Sequence, residues 1–151
     1  MAKPSRRELV DLLADVNLFS RCSKRERGTV ARHMETASLP ADATLIEEGE
    51  EGDALFLVVD GTASVRRGGE EVLAVGRGAC FGEMALLDGE PRSATVVATA
   101  PVTVAVLGVR MFRTLLREFP EMTFELLAGL AAELRRTRDE LEAATKSSAS
   151  A

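Results

Sequence analysis

Residues 81–97 read FGEMALLDGEPRSATVV, and the punctuation of that stretch decides how the chain folds. Phe81-Gly82 closes an apolar, strand-like run, and Glu83 to Leu87 holds good helix formers. Asp88-Gly89-Glu90-Pro91 then forces a turn, and β-type residues resume at Ala94. The spacing predicts strand, one short helix, turn and strand. A helix this short leaves its first amides unpaired, and a glycine at its amino end lets a ligand approach the backbone, so the segment suits a phosphate. Arg92 adds a fixed fork of donors, and Ser93 adds a hydroxyl from the start of the next strand. Glu83 is the odd member. A carboxylate repels a bare phosphate and helps only by accepting hydrogen bonds from hydroxyls on the same ligand. A sugar phosphate meets both demands. Spacing alone also admits a structural reading, in which Arg92 pairs with Glu83 or Asp88 to pin the turn and Ser93 merely opens a strand.

Outward from this segment, residues 37–107 alternate short β-type runs with glycine or proline turns, the pattern of an antiparallel sandwich or roll. Asp60-Gly61, between runs at 54–59 and 62–66, signals a tight hairpin, and Gly68-Gly69 signals the next. Val72, Leu73 and Val75 lead back to Phe81, while runs at 94–99 and 102–107, split by Ala100-Pro101, close the roll. Helical periodicity flanks it. Ser5 to Val16 puts Leu9, Leu12, Leu13 and Val16 on one face, with Ser5 and Glu8 spaced as a capping box. Ser23 to Met34 repeats the signal with Ser23 and Glu26. After the roll, helical spacing runs from Arg110 to Glu118, breaks at Phe119-Pro120, and resumes from Glu121 to Ala144. The expected organisation is an N-terminal helical segment (1–36), an antiparallel β-roll (37–109) with the anion cassette at 81–95, C-terminal helices (110–145) and a disordered polar tail (146–151).

The chain has 151 residues, 46% of them apolar, which suffices for one domain with a core of its own. A net charge of −5, with no Trp or Tyr, argues against a dedicated nucleic-acid surface. No apolar run is long enough to span a membrane, and the first residues, MAKPSRRELV, lack a secretion signal, so a cytoplasmic protein is expected. Cys22 and Cys80 stand far apart with His33 as the single histidine, which suggests neither a disulfide framework nor a zinc site. No GxSxG surrounds Ser93, and the sequence has no P-loop GK[ST] and no HExxH. Glu83, imagined as a base acting on a phosphodiester, has no metal-ligand cluster beside it, so no enzyme is expected.

Phe81-Gly82-Glu83, Met84-Ala85-Leu86, the turn from Leu87 to Pro91 and Arg92-Ser93-Ala94-Thr95 together resemble the phosphate-binding cassette of cyclic-nucleotide-binding domains. The resemblance extends over about residues 10–145. It implies that Arg92 holds the cyclic phosphate, Glu83 and the Gly82 backbone the ribose 2′-hydroxyl, and Ser93 and the Ala85 amide further phosphate oxygens, with Met84 beside them. Catabolite-activator-type members of the family dimerise through a long helix after the roll. By that resemblance Thr137 would meet the adenine edge, Arg138 of a second copy would sit near the same base, and Val72 and Val75 would pack on it. Those members carry serine at the position of Arg138. They also continue into a DNA-binding domain, for which no room is expected here.

Leu127, Leu130, Leu134, Thr137 and Leu141 form a stripe that could dock on the roll or join two copies. The expected function is therefore a stand-alone receptor for cyclic AMP, with cyclic GMP as the second candidate, no cofactor, a homodimer through 121–144 and an unidentified effector protein. The alternative is a module that binds no ligand and docks through its last helix.

Overall fold

The computed structural model describes residues 3–150. Two helices open the chain, α1 (Arg6–Ala14) and α2 (Lys24–Arg32), with a 3-10 turn at Asn17–Phe19 between them. At α2 the capping box is complete: Ser23 Oγ accepts from the Glu26 amide at 3.1 Å, and Glu26 Oε1 accepts from the Ser23 amide at 2.7 Å. At α1 only half of it forms. Ser5 Oγ accepts from the Glu8 amide, but the Glu8 carboxylate turns outward to Arg77, 3.0 Å away. Arg77 also donates to the Val59 carbonyl, so the missing half-cap is replaced by a tie between α1 and the sheet.

Eight strands follow: β1 (Glu35–Leu39), β2 (Thr44–Ile46), β3 (Ala54–Asp60), β4 (Ala63–Arg67), β5 (Glu70–Val75), β6 (Cys80–Phe81), β7 (Thr95–Ala98) and β8 (Val102–Gly108). A short helix α3 (Glu83–Asp88) joins β6 to β7, and α4 (Val109–Glu118) and α5 (Glu121–Ser150) end the chain. The strands form two antiparallel sheets, ordered β1-β8-β3-β6 and β2-β7-β4-β5. This is the mainly-β roll flanked by helices that the sequence predicts.

The sequence of β3, ALFLVVD, shows why the roll has two cores. Alternate residues of a strand point to opposite faces, and both faces of β3 are covered. Leu55, Leu57 and Val59 pack with Leu13, Leu18, Phe19 and Phe112 under the helices, while Phe56 and Val58 pack with Val96, Val102 and Val104 between the sheets. Leu55 and Leu57 are fully buried, each worth about 2 kcal/mol of transfer free energy.

Two turns that look alike in sequence behave differently. Gly68-Gly69, at φ 58° and 84°, closes a true β4–β5 hairpin with Arg67 opposite Glu70. Asp60-Gly61 is no hairpin, because β3 and β4 belong to different sheets. It is a corner that packs against the second crossing, at Ala100-Pro101: a Cβ at Gly61 would overlap the Pro101 carbonyl and Val102. Thr62 and Thr99 hydroxyls, 2.8 Å apart, tie the two corners together.

The long helix also departs from expectation. It continues through Lys146–Ser150, where a disordered tail is predicted, because KSSAS contains neither glycine nor proline to stop it; Ala151 lies outside the described residues. Only its first half is docked. Met122 and Leu126 are buried, and Gly129 lets the helix approach the 3-10 turn, where a Cβ would stand 2.6 Å from the Asn17 carbonyl. Arg136 reaches back to Asn17 Oδ1 at 2.6 Å, and from Leu134 to Ser148 every residue is exposed.

Candidate ligand site

The antiparallel pairing of β6 with β3 sets Phe81 opposite Phe56 and delivers Gly82 to the end of the sheet. Gly82 takes a left-handed conformation (φ 87°), and α3 starts behind it with no side chain capping its first amides. Gly89, at φ 71°, ends that helix, and the Glu90 amide bonds Asp88 Oδ1 at 2.9 Å to turn the chain back. The loop after β2 then clamps the returning strand. Gly49 N–H donates to the Arg92 carbonyl at 2.9 Å, and Arg92 N–H donates to the Glu50 carbonyl at 2.8 Å.

These ties aim the Arg92 side chain inward, where it is only 7% exposed. Its Nη2 donates to the Ala54 carbonyl at 2.8 Å, and its Cζ stands 6.0 Å from the Phe56 ring centroid. Gly52 and Gly82 flank the guanidinium so closely that a Cβ on Gly82 would overlap Nη1. Nη1 is buried and has no hydrogen-bond partner. A buried charged donor left unmade is costly, and an anion within reach of Nη1 would offset that cost. Burial lowers the Arg92 pKa from its ordinary value, with Asp53 and Glu83 opposing the shift. No ion pair to Glu83 or Asp88 forms, which removes the turn-pinning role that spacing alone admits.

Arg92 opens on a cavity of about 360 Å³, within the usual range of ~300–1,000 Å³ for small-molecule sites. Gly82, Glu83, Met84, Ala85, Arg92 and Ser93 all line it. Burial raises the Glu83 carboxyl above its ordinary value; its own backbone amide opposes the rise, Glu133 of α5 adds to it, and Arg92 opposes it. The pocket thus holds a buried cation beside an acceptor that is half-buried, as an anion bearing hydroxyls requires.

The other expected contacts are not brought to this pocket. Val72 is the unpaired residue of a bulge, since Val65 pairs with Leu73 and Arg66 with Glu71. Val72 does not line the cavity and is half exposed, because its neighbour Leu73 is the residue paired with pocket-lining Val65 and successive strand residues face opposite ways; Val75 packs into the inter-sheet core instead. Val65 and Ile46 supply the apolar wall, and Leu73, opposite Val65 and exposed, adjoins it. The register of the Gly68-Gly69 hairpin was the available signal for Val65. Thr137 and Arg138 lie on the undocked half of α5, exposed and outside the pocket lining, with the Thr137 hydroxyl turned to the Glu133 carbonyl at 3.0 Å. Among the described residues no cluster of His, Cys, Asp and Glu could hold a metal ion, and no helix is long and apolar enough to cross a membrane.

The family model of the cyclic nucleotide-binding domain matches residues 36–119, more than half of the chain. The chain belongs to the cyclic nucleotide-binding domain family. Members of this family are regulatory rather than catalytic. The chain is 37% identical over 133 residues to a cAMP-dependent protein kinase regulatory subunit of Hypocrea atroviridis, covering 88% of itself and 26% of that protein. It therefore spans about a quarter of that relative's length. Among solved structures it is similar to the N-terminal domain of a transcriptional regulator from Streptomyces coelicolor A3(2), with 31% identity, a TM-score of 0.78, and 86% and 94% of the two chains covered. It is also similar to cAMP-bound PfPKA-R, with 30% identity, a TM-score of 0.65, and 82% and 46% covered. The cavity-lining residues of this cyclic nucleotide-binding domain, from Ile46 to Val96, lie inside the matched span.

Proposed function

We propose that this domain is a cytoplasmic receptor that takes cyclic AMP in preference to cyclic GMP and passes its occupancy to a protein partner or buffers the ligand. The observation that carries this reading is the buried, unpartnered Nη1 of Arg92 at the wall of the cavity. An equatorial phosphate oxygen there would complete its hydrogen bonding. Glu83 would accept from the ribose 2′-hydroxyl, and Ser93 with the first amides of α3 would take the remaining phosphate oxygens. The similarity to cAMP-bound PfPKA-R supports the choice of nucleotide, and two free thiols accord with a reducing compartment.

A specific feature favours a second copy as one partner. Leu127, Leu134 and Leu141 recur every seven residues on α5 and are 58%, 70% and 66% exposed. Paired with the same helix of another chain they would form a two-stranded seam, and Thr137 would then stand at the pocket of one protomer or the other. If they instead dock an unrelated protein, the domain is an interaction module.

Titration calorimetry with cyclic AMP and cyclic GMP, on the wild type and on Arg92→Ala, tests the receptor reading, with the solution mass measured beside it. The expected result is micromolar or tighter binding of cyclic AMP, about −8 kcal/mol, lost in the variant, and a mass of twice 16.2 kDa. Absence of binding to either nucleotide would leave the docking module as the better reading.

A further inference from the structure

The cavity built for an anion opens through acidic surroundings. The loop after β2, reading EEGEEGD, carries Glu47, Glu48, Glu50, Glu51 and Asp53, all exposed. It is tied to the cassette by the two Arg92 backbone bonds and by the bridge of Glu51 to Pro91. Asp88 and Glu90, also exposed, line the mouth itself. The chain as a whole is negative. A ligand with a formal negative charge is therefore repelled over much of its approach, and Arg92, buried in the wall, acts only after entry.

One exposed cation answers this field at the mouth. Arg67, the last residue of β4, lines the cavity and is exposed. Among the described residues its guanidinium has no hydrogen bond and no ion pair. Its position is nonetheless fixed, because the next amide, Gly68 N–H, donates to Glu48 Oε1 at 3.1 Å and anchors the hairpin tip to the acidic loop. We infer that Arg67 is a steering residue, which draws the anionic ligand past the acidic rim and sets its association rate, while Arg92 sets its residence time. An exposed charge at a rim acts on encounter, and a desolvated charge at a hydrogen bond acts on release. The inference rests on the receptor reading above and extends it from what is held to how it arrives.

Stopped-flow binding of cyclic AMP to the wild type, Arg67→Gln and Arg67→Glu at low and at 1 M salt tests it. At low salt the association rate constant is expected to fall about 3- to 10-fold in R67Q and further in R67E, with dissociation changed less than about twofold. At 1 M salt, where the screening length is about 3 Å, the three proteins should converge. Equal association rates for wild type and R67Q at low salt would overturn the inference alone, as would a loss confined to the dissociation rate, which would make Arg67 a direct contact. A wild type that binds no cyclic nucleotide would overturn the receptor reading and this inference with it. Because Arg67 makes no hydrogen bond or ion pair in the fold, R67Q is expected to melt with the wild type, while R67E, set opposite Glu70, is expected to melt slightly lower.

Discussion

Arg92 and Thr137 are both expected ligand contacts, and the molecule treats them in opposite ways. Arg92 is drawn into the protein by two backbone bonds, a carbonyl acceptor, an aromatic face and two flanking glycines, and one donor is left over for something else. Thr137 stands on a solvated stretch of helix with its hydroxyl satisfied by its own backbone. On the proposed reading, the side chains that would hold the phosphate come together within one chain, and those that would meet the base do not; α5 of another copy, or a displacement of this one, would supply them.

That contrast can be broken most severely at Gly82. Gly82→Ala puts a Cβ where Arg92 Nη1 and the Ala54 carbonyl now lie, at a left-handed φ that alanine resists. We expect a loss of about 2 kcal/mol in stability by chemical denaturation and about a 100-fold loss of nucleotide affinity by calorimetry, near that of losing a charged hydrogen bond. Wild-type affinity in this variant would show that the cassette does not need its tight glycine.

Glu83→Gln should separate stability from binding. The folded protein raises the Glu83 carboxyl above its ordinary 4.5, so the fold favours the neutral form. Stability from this group is present in full below about pH 4.5 and is lost as pH rises through the raised value. Gln resembles the neutral form. The ligand-free variant is therefore expected to melt a few degrees above wild type at pH 7 and level with it at pH 4, yet to bind cyclic AMP about 10-fold more weakly for want of a strong acceptor. A melting temperature below wild type at pH 7 would mean that the carboxylate is stabilising in place.

The smallest effect sharpens the contrast. Thr137→Ala should leave affinity unchanged where the chain is monomeric, and lower it about threefold where two copies associate, the value of one modest hydrogen bond. Affinity measured across a concentration series that spans the monomer–dimer transition checks this. An equal loss at both extremes would place Thr137 of the same chain over the pocket.

What could be read in advance tracks how local the cause is. Capping at Ser23, the Gly68-Gly69 hairpin and the strand–helix–turn–strand order around α3 depend on neighbours within a few residues, and all three stand in the structure. Asp60-Gly61 signals a chain reversal, but no local signal says whether the next strand joins the same sheet or crosses to the other. Resemblance to the family assigns Val72 to the pocket; in this chain Leu73 is the residue opposite Val65, and Val72 is the bulged residue beside it. Arg92 could be named from its motif. Its burial and its unmet donor come from segments at 49–54 and 82 that only the fold assembles.

The contact between Gly129 and the 3-10 turn bears on how the chain is made. Arg136 and Asn17, which meet beside it, are 119 residues apart in sequence. A ribosome delivers α1 and α2 before α5, so the apolar surface around Leu18 and Phe19 must wait until the whole roll has been made before α5 can cover it. Contacts this distant are slow to form. Nascent chains released before about residue 126 would carry that surface uncovered, and aggregation during synthesis is where a lesion in α5 would first be felt.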